Sequence, residues 1–333
     1  MLNETEHRGT GASPARARGA DPEVTRVVVI AGPTASGKSA LALALAEALD
    51  GVVINADSMQ VYRELSILTA RPSAADCARV PHRLYGVLPA AERCSAGRWC
   101  ELARGEIAAA AAAGRVPILV GGTGLYLRGL MQGLAPVPEV PAAVRAATTS
   151  RLERLGPAAF HEALARRDPV MAARLRPSDP QRLIRAWEVL EATGRSLASW
   201  QREATAPPDD LSFVPFVLRR PRPELYEACN RRFLHMLEAG ALDEVRAMDA
   251  LGLDPDLPAM KALGVPELRR HLRGELTLAE ATAAAQQATR RYAKRQTTWF
   301  RHQMASARVL EAQGSPAQFS ERLAAEIRNL IRH

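Results

Sequence analysis

The residues with the clearest capacity for chemistry stand together near the start of the chain. Gly32, Pro33, Thr34, Ala35, Ser36, Gly37, Lys38 and Ser39 fit G-x-x-x-x-G-K-[ST] at every fixed position. In that spacing the glycines let backbone N–H groups converge on phosphate oxygens. The lysine adds a mobile full charge, and the hydroxyl of Ser39 suits a Mg²⁺ ion. The flanks agree. Residues 27–30 are four consecutive apolar residues, rich in β-branched types, and read as a buried strand. Residues 40–49 are rich in Ala and Leu and read as a helix, whose N-terminus lends partial positive charge to a phosphate.

Two further strand ends carry reactive groups. Residues 51–57 read as a second buried strand running into Asp57, Ser58, Met59 and Gln60. Open α/β sheets collect ligands at the carboxyl ends of their strands, which brings Asp57 beside the phosphate loop. An aspartate at such a boundary is equally a helix cap or a turn residue. A third strand, from residue 116, ends in Gly121, Gly122 and Thr123. Glycines there permit close approach of a ligand to the backbone, with a hydroxyl beside it, or simply make a tight turn. This strand lacks the terminal acid that many phosphate-loop hydrolases use to hold Mg²⁺ or orient water.

The elements that must position these groups alternate strand with helix. A helix over 95–114 separates the second and third strands, so the fold class is α/β, a parallel doubly wound sheet of the phosphate-loop type. Pro136, Pro138 and Pro141 mark a boundary. Residues 142–200 are helical by pattern, which makes 136–204 a helical insertion between core segments 25–135 and 205–310. Inside it, Gln181, Arg182, Leu183, Ile184 and Arg185 open a helix with both arginines on one face, a pattern that ordinary solvated helices share. Residues 213–218 read as a last strand, and 225–240 as a helix carrying Arg232. Lys261, Ala262, Leu263, Gly264, Val265 and Pro266 look like a loop between helices. Residues 288–303 hold Arg290, Arg291, Lys294, Arg295 and Arg301 and no acid. Arg291, Lys294, Arg295 and Thr298 share a helical face, and Tyr292, Trp299 and Phe300 interleave. Such a stripe suits a phosphate backbone and base stacking, or a surface helix anchored by its aromatics.

Composition bounds the rest. The 333 residues are 47% hydrophobic and carry a net charge of +8, which favours a polyanionic partner. Cys77, Cys94, Cys100 and Cys229 form no C-x-x-C pair, so neither a disulfide framework nor a zinc site is expected. No apolar run approaches the ~20 residues that span a bilayer. Residues 1–24 read as a disordered tail without the apolar segment of a signal peptide, and 311–333 as a C-terminal helix or tail. A reduced, cytoplasmic setting and a monomer are expected.

Together the motifs GPTASGKS, NADSMQVY, LVGGTGLYL, DPQRLIRA and TRRYAKRQTTWFR resemble the tRNA dimethylallyltransferase family, over roughly residues 27–303. The resemblance implies a phosphate-loop core with a helical insertion, pierced by a channel. It implies transfer of a dimethylallyl group from its diphosphate to the exocyclic amine of the adenosine 3′ of the anticodon, in tRNAs reading codons that begin with U. It further implies Asp57 as general base, Thr34, Lys38 and Ser39 on diphosphate and Mg²⁺, Arg232 as a second cation, and Thr123 at the reacting base. The tRNA-contact positions it implies are 57–60, Thr123, Arg145, 181–185, 261–266, Arg291, Lys294 and Arg295. Val265 departs from the tyrosine often found there, and the zinc-finger extension of eukaryotic relatives is missing, which fits a bacterial type. A small-molecule kinase is the runner-up, and it leaves the insertion and the basic helix unexplained. An RNA-binding NTPase and a transferase acting on free adenine nucleotides stand behind it.

Overall fold

A computed structural model describes residues 24–203, 206–311 and 316–332, so the expected tail lies, Val24 apart, outside the described residues. The chain runs β1 (Thr25–Ala31), α1 (Lys38–Leu49), β2 (Gly51–Asn55), α2 (Ala74–Arg79), β3 (His82–Arg83), α3 (Ala96–Ala112), β4 (Val116–Gly121) and α4 (Gly124–Gln132). It continues through α5 (Ala142–Arg167), α6 (Pro169–Ala172), α7 (Pro180–Thr193), α8 (Leu197–Arg202), β5 (Leu211–Arg219), α9 (Arg222–Glu238) and α10 (Ala241–Ala250). After a 3-10 turn (Pro258–Lys261) come α11 (Val265–Leu272), α12 (Leu278–Gln303), β6 (Arg308–Glu311) and α13 (Pro316–Arg332).

The strands form one parallel sheet in the order β3-β2-β4-β1-β5-β6. β1 sits inside it, and Val27–Ile30 are wholly buried because both faces of the sheet are covered. Val28, Ile30 and Phe216 pack with α1 and α13 through Leu41, Leu45, Leu323 and Ile327. Val27, Val29 and Ile54 pack on the other side with Trp99, Leu127, Phe233 and Val265. The sheet order reverses between β4 and β1, so the crevice at their carboxyl ends is where ligands of such sheets bind.

The helices α5–α8 enclose a separate cluster built on Phe160, Leu164, Leu183, Ala186, Trp187 and Ala198. α5 is kinked at Gly156-Pro157, with Gly156 at φ 75°. Residues 261–266, expected as a loop, are half helical. Gly264, at φ 94°, caps α11, and Val265 and Pro266 open it. Proline fits a helix's first turn because its missing N–H would be unpaired there in any case.

Candidate active site

The phosphate loop joins β1 to α1. Gly37 at φ 95° is the cap residue of α1, and Ala35 is itself left-handed at φ 61°, a strained state for a side-chain-bearing residue. The loop therefore ends at the N-terminus of α1, where the helix dipole is positive. Ser36 Oγ is buried in this loop without a hydrogen-bond partner among the described residues.

Lys38 and Arg232 bring positive charge to the loop. Lys38 is buried, with Nζ 3.4 Å from the Pro33 carbonyl. Burial pushes its pKa down to about 8; Asp57 opposes the shift and Arg232 adds to it. Arg232, on α9, donates to Thr34 Oγ1 (3.1 Å) and to the Thr69 carbonyl (3.3 Å). Desolvation lowers its pKa too, against the pull of Asp57. Both cations line a cavity of about 350 Å³, with Thr34, Ser39, Asp57, Gln60, Thr69 and Arg220 among the other walls. One carboxylate faces two desolvated cations there, so the cavity is built for an anion.

Asp57 is placed by Asn55, the buried end of β2. Asn55 Nδ2 donates to the carbonyls of Asp57 and Leu84 (3.0 Å each), and its Oδ1 accepts the Asp57 amide (2.8 Å). Asp57 Oδ1 accepts the Met59 amide at 2.9 Å, and among the described residues nothing donates to Oδ2. The turn role and the cavity role thus coexist in one side chain.

The glycines after β4 serve close packing. A Cβ on Gly121 would lie 2.1 Å from the Ala56 carbonyl oxygen, one on Gly122 2.2 Å from Gln296 Nε2, and one on Gly124 2.5 Å from the Trp299 ring. β2, β4 and α12 therefore meet at this turn. Thr123 Oγ1 accepts the Ser58 amide (2.9 Å) and donates to Ser58 Oγ (3.2 Å), next to Asp57.

Two residues of this site, Gln296 and Arg220, were not singled out by the sequence, and Tyr292 was named there only as an aromatic of the basic stripe. Gln296 is buried on α12; its Oε1 accepts the Thr34 amide and its Nε2 donates to the Gly122 carbonyl, both at 2.9 Å. It ties the phosphate loop to the Thr123 turn. One helical turn earlier stands the half-buried Tyr292; burial pushes its pKa up, and the negative charge of Asp57 adds to that. Arg220 lines the cavity and donates to the Ala35 carbonyl at 3.2 Å. The only signal for Gln296 was its place inside the basic stretch, and an amide among cations makes no pattern. For Arg220 there was none.

The outer face of α12 is different. Arg291, Lys294, Arg295, Thr298, Trp299 and His302 line an open cavity of about 550 Å³. The i, i+3, i+4 stripe is thus one surface, backed by Phe300 in the core. Other sequence candidates stand apart from both cavities. Gln181 and Arg182 are exposed on α7, with Arg182 paired to Asp179 at 3.3 Å. Leu183 is in the core and Ile184 half-buried. Arg145 and Arg185 flank the buried Glu188 at 3.7 and 3.9 Å. Lys261 is exposed and paired to Asp256 at 2.7 Å; Ala262, Gly264 and Val265 are buried, Leu263 is half-buried and Pro266 exposed. Of 57–60, Asp57 and Gln60 line the anion cavity, while Ser58 and Met59 are half-buried beside it.

A metal would find hard oxygen donors here, since Ser39 and Asp57 both line the cavity. Among the described residues no group of three or more His, Cys, Asp and Glu could hold an ion alone. That donor set fits Mg²⁺, which takes most of its ligands from phosphate and water. Among the described residues, too, no helix is long and apolar enough to cross a membrane.

The family described as IPP transferase matches residues 60–303, and that described as isopentenyl transferase matches 25–87. The chain belongs to the IPP transferase family. Among its relatives is the tRNA dimethylallyltransferase of Rhodospirillum centenum, 63% identical over 288 residues, which are 86% of this chain and 92% of that one. The enzyme of the same name from Rhodospirillum rubrum is 56% identical over 314 residues, 94% and 96% of the two chains. The family's α/β fold is shared with solved structures. The tRNA isopentenylpyrophosphate transferase of Bacillus halodurans superposes with a TM-score of 0.68 at 32% identity, covering 92% of this chain and 97% of that one. A eukaryotic dimethylallyltransferase acting on tRNA gives 0.72 at 27% identity, covering 87% and 74%.

Proposed function

We propose that this member of the IPP transferase family moves the dimethylallyl group of dimethylallyl diphosphate onto the N6 amine of the adenosine 3′ of the anticodon, in tRNAs reading codons that begin with U, and releases diphosphate. The observation that carries the proposal is the anion cavity itself. Lys38 and Arg232 face one carboxylate there, behind a helix whose opposite face is basic.

The phosphate loop holds the leaving group. As the allylic C–O bond breaks, negative charge grows on the diphosphate, and the loop amides, Lys38 and Arg232 are already aimed at it. Ser39, together with the diphosphate, would hold Mg²⁺, which when bound supplies further neutralisation of that charge. The adenine amine is a weak nucleophile, its lone pair delocalised into the ring. As the N6–C bond forms, the amine becomes acidic and Asp57 takes its proton. Thr123, fixed beside Asp57 by Ser58, offers a hydroxyl at the base. The base must leave its stack to arrive, which is least costly in a loop.

The tRNA would lie across the outer face of α12, with Arg291, Lys294 and Arg295 on its phosphates. The block α5–α8, through Arg145, Arg182 and Arg185, and the 261–266 segment would take the stem. The setting proposed is the cytoplasm, and the working unit a monomer. Labelled dimethylallyl diphosphate offered in parallel with tRNA, AMP and ATP tests the proposal. Label is expected in tRNA alone; transfer to a free nucleotide instead would overturn it.

A further inference from the structure

Glu244 belongs to no motif and lies on α10, outside the cavity, yet it makes an unusual set of contacts. Its Oε1 accepts the amides of Ser66 (2.6 Å) and Ile67 (2.7 Å) and the Ser66 hydroxyl (3.0 Å). Its Oε2 accepts the Leu68 amide at 2.9 Å. Three consecutive backbone amides closing on one carboxylate form a nest, and each bond is charge-assisted.

The next two residues wall the anion cavity. The Thr69 carbonyl accepts from Arg232 Nη2 (3.3 Å) and Gln60 Nε2 (2.9 Å), and the Ala70 carbonyl from Gln60 Nε2 (2.9 Å). Ala70 is left-handed at φ 48°, a conformation that the surroundings must enforce. The turn also has somewhere to go. Behind it is a second cavity of about 400 Å³, lined by Ser66, Ile67, Ala70, Arg71, Met236 and Arg232 itself. Arg232 stands between the two cavities, and its side toward the Thr69 carbonyl is held only as firmly as the 66–70 turn.

We propose that Glu244 is a positioning residue for the leaving group: it locks the 66–70 turn so that the Thr69 carbonyl aims Arg232 into the anion cavity. The identity of that anion as the allylic diphosphate rests on the function proposed above. Glu244 touches no substrate and moves no proton. It acts through a guanidinium whose misplacement by a fraction of an ångström weakens the stabilisation it gives.

The test uses the full-length enzyme with tRNA at saturation and dimethylallyl diphosphate varied, in E244A, E244Q, R232A and E244A/R232A. E244A is expected to raise KM for the diphosphate about tenfold while tRNA affinity stays within about twofold of wild type. E244Q is expected to fall about midway, because its amide oxygen still accepts from the turn. In the R232A background, E244A is expected to add less than about twofold, since the residue it acts through is already gone. Should E244A fail to fold, E244Q and the further double variant E244Q/R232A decide the matter: the E244Q shift is expected to vanish without Arg232. E244A or E244Q matching wild type, or a full effect persisting without Arg232, would overturn the proposal. A wild-type enzyme inactive on tRNA would instead sink the proposed function and leave the Glu244 claim to be judged on diphosphate binding alone.

Discussion

Positive charge lies on both sides of α12, in opposite states. Toward the phosphate loop, Lys38 and Arg232 are desolvated, tied to backbone and hydroxyl groups, and lowered in pKa by their burial. Toward solvent, Arg291, Lys294 and Arg295 stand exposed along an open groove. Desolvated cations act strongly over a few ångströms and are little screened by salt. Exposed ones act at longer range and weaken as ionic strength rises. On the proposed function, one helix thus separates the site of bond breaking from the surface that would hold the polyanion. Gln296 is its inward contact with the phosphate loop.

The largest effect expected is on the inner side. Asp57→Asn keeps an acceptor for the Met59 amide, so the turn survives, while the proton acceptor is lost. Single-turnover transfer should fall about 10²- to 10⁴-fold with tRNA affinity little changed. Equal losses in both would make Asp57 a binding group and blur the division between the faces.

Next comes Lys38. Lys38→Ala should raise KM for dimethylallyl diphosphate by about one to two orders of magnitude. Its lowered pKa also gives a pH signature. In the free enzyme the proton leaves near pH 8, not near the ordinary 10.5, so KM should climb as pH passes through 8. Binding the anion in that window should take up a proton, measurable as buffer-dependent heat. The stability sign is opposite to that of a salt-bridged lysine. Between about 8 and 10.5 the unfolded chain binds more protons than the folded one, so this group's contribution to stability rises with pH there. Lys38→Ala should remove that rise.

The outer face should respond to salt instead. Replacing Arg291 and Lys294 by alanine should reduce the slope of log affinity for tRNA against log salt by about 0.7–0.9 per residue, with KM for the diphosphate unchanged. An unaltered slope would place the RNA surface elsewhere. The smallest effect is expected at Arg182. It is exposed and already paired to Asp179, so Arg182→Ala should cost tRNA affinity about twofold or less.

What the sequence made legible follows the same division between local and distant. The phosphate loop is a local pattern, and its strand, cap and helix stand where the spacing puts them. The basic stripe is likewise local, because helical periodicity alone assembles it. Asp57 was ambiguous because turns and general bases draw on the same residue type, and here one carboxylate does the first while facing the place of the second. β3 and β6 were missed because two- and four-residue edge strands carry no period. Gln296 and Glu244 were invisible because their partners lie more than 170 positions away, and nothing near either residue reports on them. The misread 261–266 segment is a different case. Glycine and proline there open a helix, although the same pair more often closes one.

The claim on which the rest depends is that the loop grips a departing diphosphate. Its most direct test is to incubate the purified protein with dimethylallyl diphosphate, Mg²⁺ and an anticodon stem-loop, and to count released diphosphate against N6-dimethylallyladenosine. One diphosphate per modified adenosine, with ATP left intact when it is added, is the expected result. Release of the terminal phosphate of ATP with the stem-loop unmodified would contradict the account.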